Sequence, residues 1–178
     1  MIPPFTNYKR VFMETTKSEH NHGGAGWEFG TCLWSPIANA VGAKFYEIMK
    51  EPKPGDLILH NYHFSPDGKT PKSYLCGFSI VASKVTNRAD EPPSPGVWAD
   101  RGNYYRIDLR DYTALEAPLD FKVFSASYSQ GLRDEIEHHH PKFFPFTISG
   151  GGGPNEPGNV SYQDQWPIVF PALRCAWC

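Results

Sequence analysis

The sequence has no long apolar run and almost no net charge, and each shortage excludes a class of protein. No window of about 18 apolar residues occurs, so we expect no membrane-spanning helix and no membrane partner. The formal charge is -2, from 17 Lys and Arg against 19 Asp and Glu, which argues against a wholly basic nucleic-acid-binding surface. A local basic rim remains open, because phosphate contacts need only a few placed cations. Residues 1–5 lack the basic and apolar regions of a signal peptide, so we expect a cytoplasmic protein.

Sequence motifs of common enzymes are also missing. There is no Gly-x-Ser-x-Gly elbow and no His-Glu-x-x-His zinc motif, and no P-loop lysine follows the glycines at 150–153. The acidic residues Asp134, Glu135 and Glu137 are typical of the solvated face of a helix. We therefore expect a chain without catalytic activity and without a cofactor.

Cysteine is scarce, with four residues in the chain. Cys32 and Cys76 lie in apolar runs, which predicts buried, reduced side chains. Cys175 and Cys178 form half of a zinc site, since a structural zinc needs four ligands, and one hypothesis is that they lead into a further, zinc-bearing nuclease domain. Two groups of histidines are close enough in sequence to share a metal: His20 with His22, and His138 with His139 and His140. No carboxylate accompanies them at motif spacing, so we predict no metal site.

Aromatic residues, by contrast, are abundant at 15%, and 17 Pro with 16 Gly indicate many turns and loops. Apolar alternation predicts strands over residues 8–16, 27–34, 57–60, 74–85 and 104–109. A one-sided apolar pattern predicts a helix over 38–50 and a partly helical segment over 121–138. We expect a single α/β (α+β) domain, residues 1–178. It would be a small, mostly antiparallel β-barrel or half-barrel of five or six strands, with two or three helices packed outside.

Three short segments carry most of the functional information: Cys-Leu-Trp-Ser-Pro at 32–36, Tyr-Leu-Cys-Gly-Phe at 74–78 and Gly-Val-Trp at 96–98. A flat aromatic ring stacks on a nucleobase for about 1–3 kcal/mol, and two such walls make a cage for a base swung out of its helix. The alternative is that Trp34 and Trp98 are ordinary half-buried core residues. Trp27 and Trp166 are predicted to be core residues.

In order and spacing, these segments resemble the YTH/EVE group of the PUA-like superfamily over roughly residues 8–124. Gly55-Asp56 before an apolar strand, followed by Gly77, matches the Gly-Asp…Gly rhythm of EVE and related domains. The resemblance implies a PUA-like fold that binds a modified base. YTH domains read N6-methyladenosine in RNA, and similar domains of prokaryotic modification-dependent (type IV) restriction systems flip a methylated or hydroxymethylated cytosine from DNA. Residues 125–178 would form a C-terminal helix and loop extension.

We therefore expect a DNA-binding module that recognises 5-methylcytosine or 5-hydroxymethylcytosine in double-stranded DNA and targets a nuclease or NTPase domain or subunit. Two alternatives stay open: a reader of N6-methyladenosine or other modified RNA, and a PUA-like domain that binds a small ligand or a protein.

No third cage tryptophan follows Trp98, so a tyrosine would take its place. The predicted cage residues are Trp34, Trp98, Tyr104 and Tyr105. The predicted base-edge contacts are Ser35, Asn39 and Cys76, and the predicted phosphate contacts are Lys84, Arg88 and Arg101. Taken alone, each of these cations is more typical of solvated surface charge, and it is their grouping around the loop before Trp98 that favours a phosphate contact.

Overall fold

The computed structural model describes residues 8, 10–17, 23–38, 42, 44, 46–64, 72–120 and 123, together with the backbone of 146–149, 159–162 and 170–172. Among these residues, no helix is both long and apolar enough to cross a membrane.

Nine strands make up most of the described chain. They are β1 (Val11–Lys17), β2 (Cys32–Pro36), β3 (Leu57–Phe64), β4 (Lys72–Val81), β5 (Thr86–Arg88), β6 (Tyr104–Asp120), β7 (Phe146–Ser149), β8 (Asn159–Tyr162) and β9 (Phe170–Ala172). Seven form one sheet in the order β2-β6-β4-β3-β1-β9, with β5 also paired to β6, while β7 and β8 form a separate ribbon. Only the pair of β1 and β3 is parallel among the described strands. The predicted mixed, mostly antiparallel half-barrel is confirmed.

The largest differences from the predicted strand boundaries are at the start of β2 and at the end of β6. Strand β2 begins at Cys32 rather than at Trp27, because the preceding residues form turns: the Trp27 N–H donates to the Gly24 carbonyl at 2.8 Å, and Gly30 has a φ of 79°. Strand β6 continues for 17 residues instead of ending at Leu109. From Arg110 onward the strand is largely solvent-exposed, with a positive φ of 56° at Asp111. This part lacks the apolar alternation on which the prediction depended.

The predicted helix over 38–50 is wrong. Gly42 has a φ of 78°, which is outside helical geometry, and within this stretch the helical residues that the structure describes are the 3-10 helix Glu47–Lys50. Ile48 and Met49 are nevertheless buried. The apolar pattern therefore correctly indicated which residues are buried, although they do not lie on an α-helix. A second 3-10 helix spans Gly96–Trp98.

The C-terminal region contributes strands as well. The predicted helical segment 121–138 lies outside the described residues apart from Val123. The described residues after it are the three strands β7, β8 and β9, and β9 pairs antiparallel with β1 at the edge of the sheet. The predicted C-terminal extension is therefore partly a continuation of the main sheet.

The paired strands β2 and β6 separate two apolar regions. Leu33, Tyr105 and Ile107 belong to the main core, together with residues of β1, β3 and β4. Cys32 and Tyr104 belong to a second, smaller cluster. Because side chains alternate along a strand, neighbouring residues of the Cys-Leu-Trp-Ser-Pro segment face opposite sides of the sheet.

A hydrogen-bonded turn, residues 53–56, leads into β3 and is called the paired turn below. Asp56 is 3% exposed, and its Oδ2 accepts from Arg10 Nη2 at 2.6 Å and from the Lys53 N–H at 2.7 Å. The same Arg10 nitrogen donates to the Glu51 carbonyl. Asp56 therefore shapes this turn.

Candidate functional site

Two of the predicted site residues, Trp34 and Trp98, pack against one small buried cluster. Its buried members are Trp27, Cys32 and Tyr104, and the two other tryptophans are half-buried against them. The ring centroids of Trp27 and Trp34 are 6.2 Å apart with perpendicular planes, and those of Trp34 and Tyr104 are 6.3 Å apart. We call these five residues the tryptophan cluster. Burial raises the pKa of the Cys32 thiol to about 11, as expected for an unreactive core cysteine.

Strand pairing places Trp34 beside Arg106 on the same face of β2 and β6. The Arg106 guanidinium lies over the Trp27 ring, 4.6 Å from its centroid. It also donates to the Gly26 carbonyl at 2.7 Å and forms an ion pair with Asp108 at 2.9 Å. The positive charge of Arg106 is therefore used within the protein, where it holds the loop containing Trp27 onto the sheet.

Trp98 lies in a tight turn, residues 96–103, which we call the tryptophan turn. The Tyr104 hydroxyl donates to the Trp98 carbonyl at 2.7 Å. Burial raises the pKa of Tyr104, and a hydrogen bond from the Arg101 backbone N–H partly offsets this rise. One buried hydroxyl thus contacts two residues of the turn. Asp100 has a positive φ of 58°. This backbone conformation is uncommon for residues other than glycine, because the Cβ makes it energetically unfavourable.

The tyrosines predicted to complete the cage lie on opposite faces of β6. Tyr104 is 0% exposed and lies beneath the tryptophans, so it supports them and does not line an open wall. Tyr105 is 3% exposed, belongs to the main core, and donates its hydroxyl hydrogen to Glu47 Oε1 at 2.8 Å. The structure corrects the prediction for Tyr105, because strand alternation turns it away from Trp34.

Among the base-edge candidates, Ser35 stands out by its unsatisfied hydroxyl. It is 6% exposed, and its Oγ is buried without a hydrogen-bond partner. It pairs in register with Tyr105 and so lies on the face opposite Trp34, at the end of β2 where the Ile37 N–H donates to the Asn103 carbonyl of the tryptophan turn. Asn39 lies outside the described residues.

Cys76 is not part of this site. It lies in a bulge of β4, where its Sγ contacts the Tyr74 carbonyl at 3.3 Å. The next residue, Gly77, pairs with Ala114, ten residues along β6 from Tyr104, which corresponds to roughly 33 Å of strand. The sequence suggested that the strand containing Gly77 lies close to the tryptophans. In the structure, Cys76 and Gly77 lie near Ala114, far along β6 from Tyr104 and the tryptophan cluster.

The three predicted phosphate contacts differ in their surroundings. Arg88 is exposed, pairs in register with Tyr104, and forms two hydrogen bonds of 2.7 Å with Asp90. Lys84 is exposed and lies before β5, at the end of that strand farther from Tyr104. Arg101 belongs to the tryptophan turn. The structure therefore brings Arg88 and Arg101 near the tryptophan cluster and leaves Lys84 apart.

Arg101 differs from the other arginines that the structure describes. Arg10, Arg88, Arg106 and Arg110 each form an ion pair with a carboxylate. Arg101 alone among these five forms none, and its Nε is buried without a hydrogen-bond partner.

A buried polar network that the sequence did not reveal connects β1, β3 and β4. His60 is fully buried, with Nδ1 2.5 Å from Glu14 Oε1 and Nε2 2.7 Å from Ser79 Oγ. The order carboxylate, imidazole, hydroxyl matches a nucleophile with its base, but Ser79 is also fully buried and its Oγ donates to the Gly30 carbonyl. In this arrangement the network cross-links strands and presents no accessible nucleophile. No local motif announces it, because its members come from three strands.

No group of three or more potential ligands for a metal ion occurs among the described residues. The histidine groups at 20–22 and 138–140, together with Cys175, Cys178 and Trp166, lie outside them.

Comparison with known proteins gives several similar solved structures, of which two follow. No family model matches the sequence, and no curated protein matches it. The human THYN1 protein in complex with 5-methylcytosine-containing DNA is similar at 12% identity, over 72% of this chain and 84% of that chain, with a TM-score of 0.39. The N-terminal domain of Staphylothermus marinus McrB is similar at 12% identity, over 72% and 86% of the two chains, with a TM-score of 0.38.

Proposed function

We propose that this chain is a DNA-binding module that recognises 5-methylcytosine or 5-hydroxymethylcytosine by flipping the base into a cage with Trp34 and Trp98 as its walls. The observation that carries the proposal is that these two half-buried tryptophans pack against the same buried cluster. Stacking contributes about 1–3 kcal/mol per base, and two walls together offset the few kcal/mol that unstacking a base costs.

The rigidity of both walls supports this role. A Cβ on Gly23 would lie 2.9 Å from Trp34 Nε1 and 2.6 Å from the Trp27 carbonyl, so the loop backbone is packed tightly onto the first wall. Gly23 also forms a β-bridge with Ser94, whose N–H donates to the Gly23 carbonyl at 2.8 Å. The segments that precede the two walls are therefore bonded to each other. A preorganised site of this kind loses little conformational entropy when a base enters.

The electrostatics favour a small footprint on the phosphate backbone. Arg88 and Arg106 are paired with Asp90 and Asp108, and the chain as a whole carries a charge of -2. Each neutralised phosphate contributes about 0.9 to the slope of log K against log salt. We expect a slope of about one to three, with Arg88 as a phosphate contact. Ser35 is not part of this proposal, because its buried hydroxyl lies on the face opposite Trp34. Such a module would direct a nuclease or NTPase domain or subunit to modified DNA.

A titration with matched duplexes tests the proposal. Unmodified, 5-methylcytosine, 5-hydroxymethylcytosine and N6-methyladenine duplexes are compared for the wild type, Trp34→Ala and Trp98→Ala. We expect a preference for a modified-cytosine duplex, reduced about 5- to 150-fold in either variant, as the loss of one stacking partner implies. Val97→Ala is the matched control, because Val97 is 54% exposed in the same turn and should bind like the wild type.

Two results would overturn the proposal. Equal binding to all four duplexes, unchanged in both tryptophan variants, would make Trp34 and Trp98 structural residues only. A preference for an N6-methyladenosine RNA over every DNA duplex would replace the proposal with an RNA reader. A 2-aminopurine placed next to the modified base should brighten on binding if the base leaves the stack, and should stay dark if it does not.

A further inference from the structure

Arg101 is an arginine whose hydrogen-bonding capacity the protein does not use. A guanidinium carries five N–H donors and no acceptor. The Nε of Arg101 is buried without a partner, whereas each of the other described arginines is matched with a carboxylate. A buried, unsatisfied donor is unfavourable to the folded state. The fold therefore leaves the Arg101 guanidinium without a matching acceptor, which a ligand is able to supply.

The surroundings of Arg101 place it in the proposed base-binding site. The Tyr104 hydroxyl that binds the Trp98 carbonyl also accepts from the Arg101 backbone N–H. The charge of Arg101 acts on Tyr46, where it partly offsets the rise in pKa that burial causes. The Tyr46 ring in turn meets Trp98 edge to face, with centroids 5.6 Å apart. Arg101 thus lies in the same turn as the proposed cage wall, and its backbone N–H binds the buried hydroxyl that also binds the Trp98 carbonyl.

The chemistry of a guanidinium selects among the bases. Its planar fork binds two adjacent acceptors in one plane. A cytosine lying against Trp98 presents such a pair, O2 and N3, on its Watson–Crick edge, and methylation or hydroxymethylation at C5 leaves both free. Adenine and N6-methyladenine present a donor, the N6 amine, next to the N1 acceptor, and this donor would oppose an N–H of Arg101.

We infer that Arg101 determines base specificity: it binds O2 and N3 of the flipped cytosine and does not serve as the phosphate contact that the sequence suggested. The inference rests on the proposed function, since it requires a base held against Trp98. It makes modified cytosine, and not N6-methyladenine, the ligand of the site.

The test separates a base contact from a phosphate contact. Arg101→Lys and Arg101→Gln are titrated with 5-methylcytosine and N6-methyladenine duplexes at several salt concentrations. Loss of a bidentate base contact should lower the ratio of the two affinities by about 10-fold or more and leave the salt slope unchanged for Arg101→Gln within about half a unit. Arg88→Gln is the control for a phosphate contact, and it should weaken both duplexes equally and reduce the slope by about 1.

The outcomes distinguish this inference from the proposed function. If Trp98→Ala abolishes selective binding but Arg101→Gln behaves like Arg88→Gln, the cage stands and Arg101 is a phosphate contact. If both Arg101 variants bind both duplexes like the wild type, Arg101 contacts neither base nor phosphate, and the inference fails. If the wild type itself binds all duplexes alike, both proposals fail. Thermal unfolding of Arg101→Gln should match the wild type, and a lower Tm would assign a structural role to Arg101 instead.

Discussion

The paired turn (53–56) and the tryptophan turn (96–103) differ in whether their buried polar groups have hydrogen-bond partners. In the paired turn, the buried Asp56 carboxylate receives both an arginine and a backbone N–H. In the tryptophan turn, Arg101 has a buried Nε with no partner, and Asp100 adopts a positive φ. Both turns connect to the same sheet, so the difference does not reflect the architecture around them. It separates a turn whose polar groups are matched within the protein from one that leaves a buried arginine nitrogen without a partner.

The largest expected effect comes from breaking the paired turn. Asp56→Ala leaves Arg10 without its carboxylate and the Lys53 N–H without its acceptor. We expect the free energy of unfolding to fall by about 3 kcal/mol, as when one partner of a buried ion pair is removed. Urea unfolding measures it. Arg110→Ala removes an exposed ion pair with Asp111 and should cost at most about 1 kcal/mol. A loss for Asp56→Ala no larger than this control would contradict the distinction between the turns.

A smaller effect is expected from Tyr104→Phe, which removes the hydroxyl that binds the Trp98 carbonyl and the Arg101 N–H. The free energy of unfolding should fall by about 1 kcal/mol, and the affinity for the preferred modified duplex should fall with it, because the turn loses its support. Tyr105→Phe is matched in chemistry but breaks a bond to Glu47 on the other face. It should lower stability and leave binding unchanged. A loss of affinity in Tyr105→Phe equal to that in Tyr104→Phe would show that the two faces are not independent.

Alkaline pH should sharpen the comparison further. Burial raises the pKa of Tyr46, Tyr104 and Tyr105, and that of the Cys32 thiol to about 11. The unfolded chain ionises these groups at lower pH than the folded chain. Their contribution to stability is therefore intact below the unfolded values, about 8.5 for Cys and 10 for Tyr, and is lost as the pH rises towards the folded values.

We expect the free energy of unfolding to decrease between pH 9 and about 11, with a shallower decrease in Tyr104→Phe. Asp56→Ala should retain the slope of the wild type, since the paired turn contains none of these groups. Urea unfolding across this pH range measures both slopes. A wild-type slope in Tyr104→Phe would contradict the assignment of this residue to the titrating set.

The smallest effect is expected at the edge of the tryptophan cluster. Asp90→Asn removes the partner of Arg88 and frees its guanidinium. If Arg88 contacts a phosphate, affinity for every duplex should rise by about twofold at low salt, the scale of an exposed ion pair, and the salt slope should steepen. Titrations at two salt concentrations measure this change. An unchanged slope would remove Arg88 from the interface.

Local sequence patterns predicted the strands well and the loops poorly. Val11 to Lys17 and Leu57 to Phe64 are apolar or alternating runs with turn residues nearby, so their burial and conformation agree with short-range rules. The helix predicted over 38–50 was wrong because Gly42 adopts a positive φ. A pattern of apolar residues indicates which residues are buried, but it does not show where a glycine adopts a positive φ. The part of β6 after Leu109 was not predicted, because its exposed residues do not alternate between apolar and polar.

The sequence by itself determined the class of fold, and it singled out Trp34 and Trp98 as a pair of candidate residues. Strand alternation, turn residues and aromatic side chains are local properties of the chain, so they can be recognised without the tertiary structure. Tertiary structure alone decided which face each residue serves. The register of β2 against β6 sends Ser35 and Tyr105 to one side and Trp34 and Tyr104 to the other. The length of β6 removes Cys76 from the site, and the placement of carboxylates elsewhere leaves Arg101 without a partner. These outcomes depend on contacts between residues far apart in sequence, which no short pattern encodes.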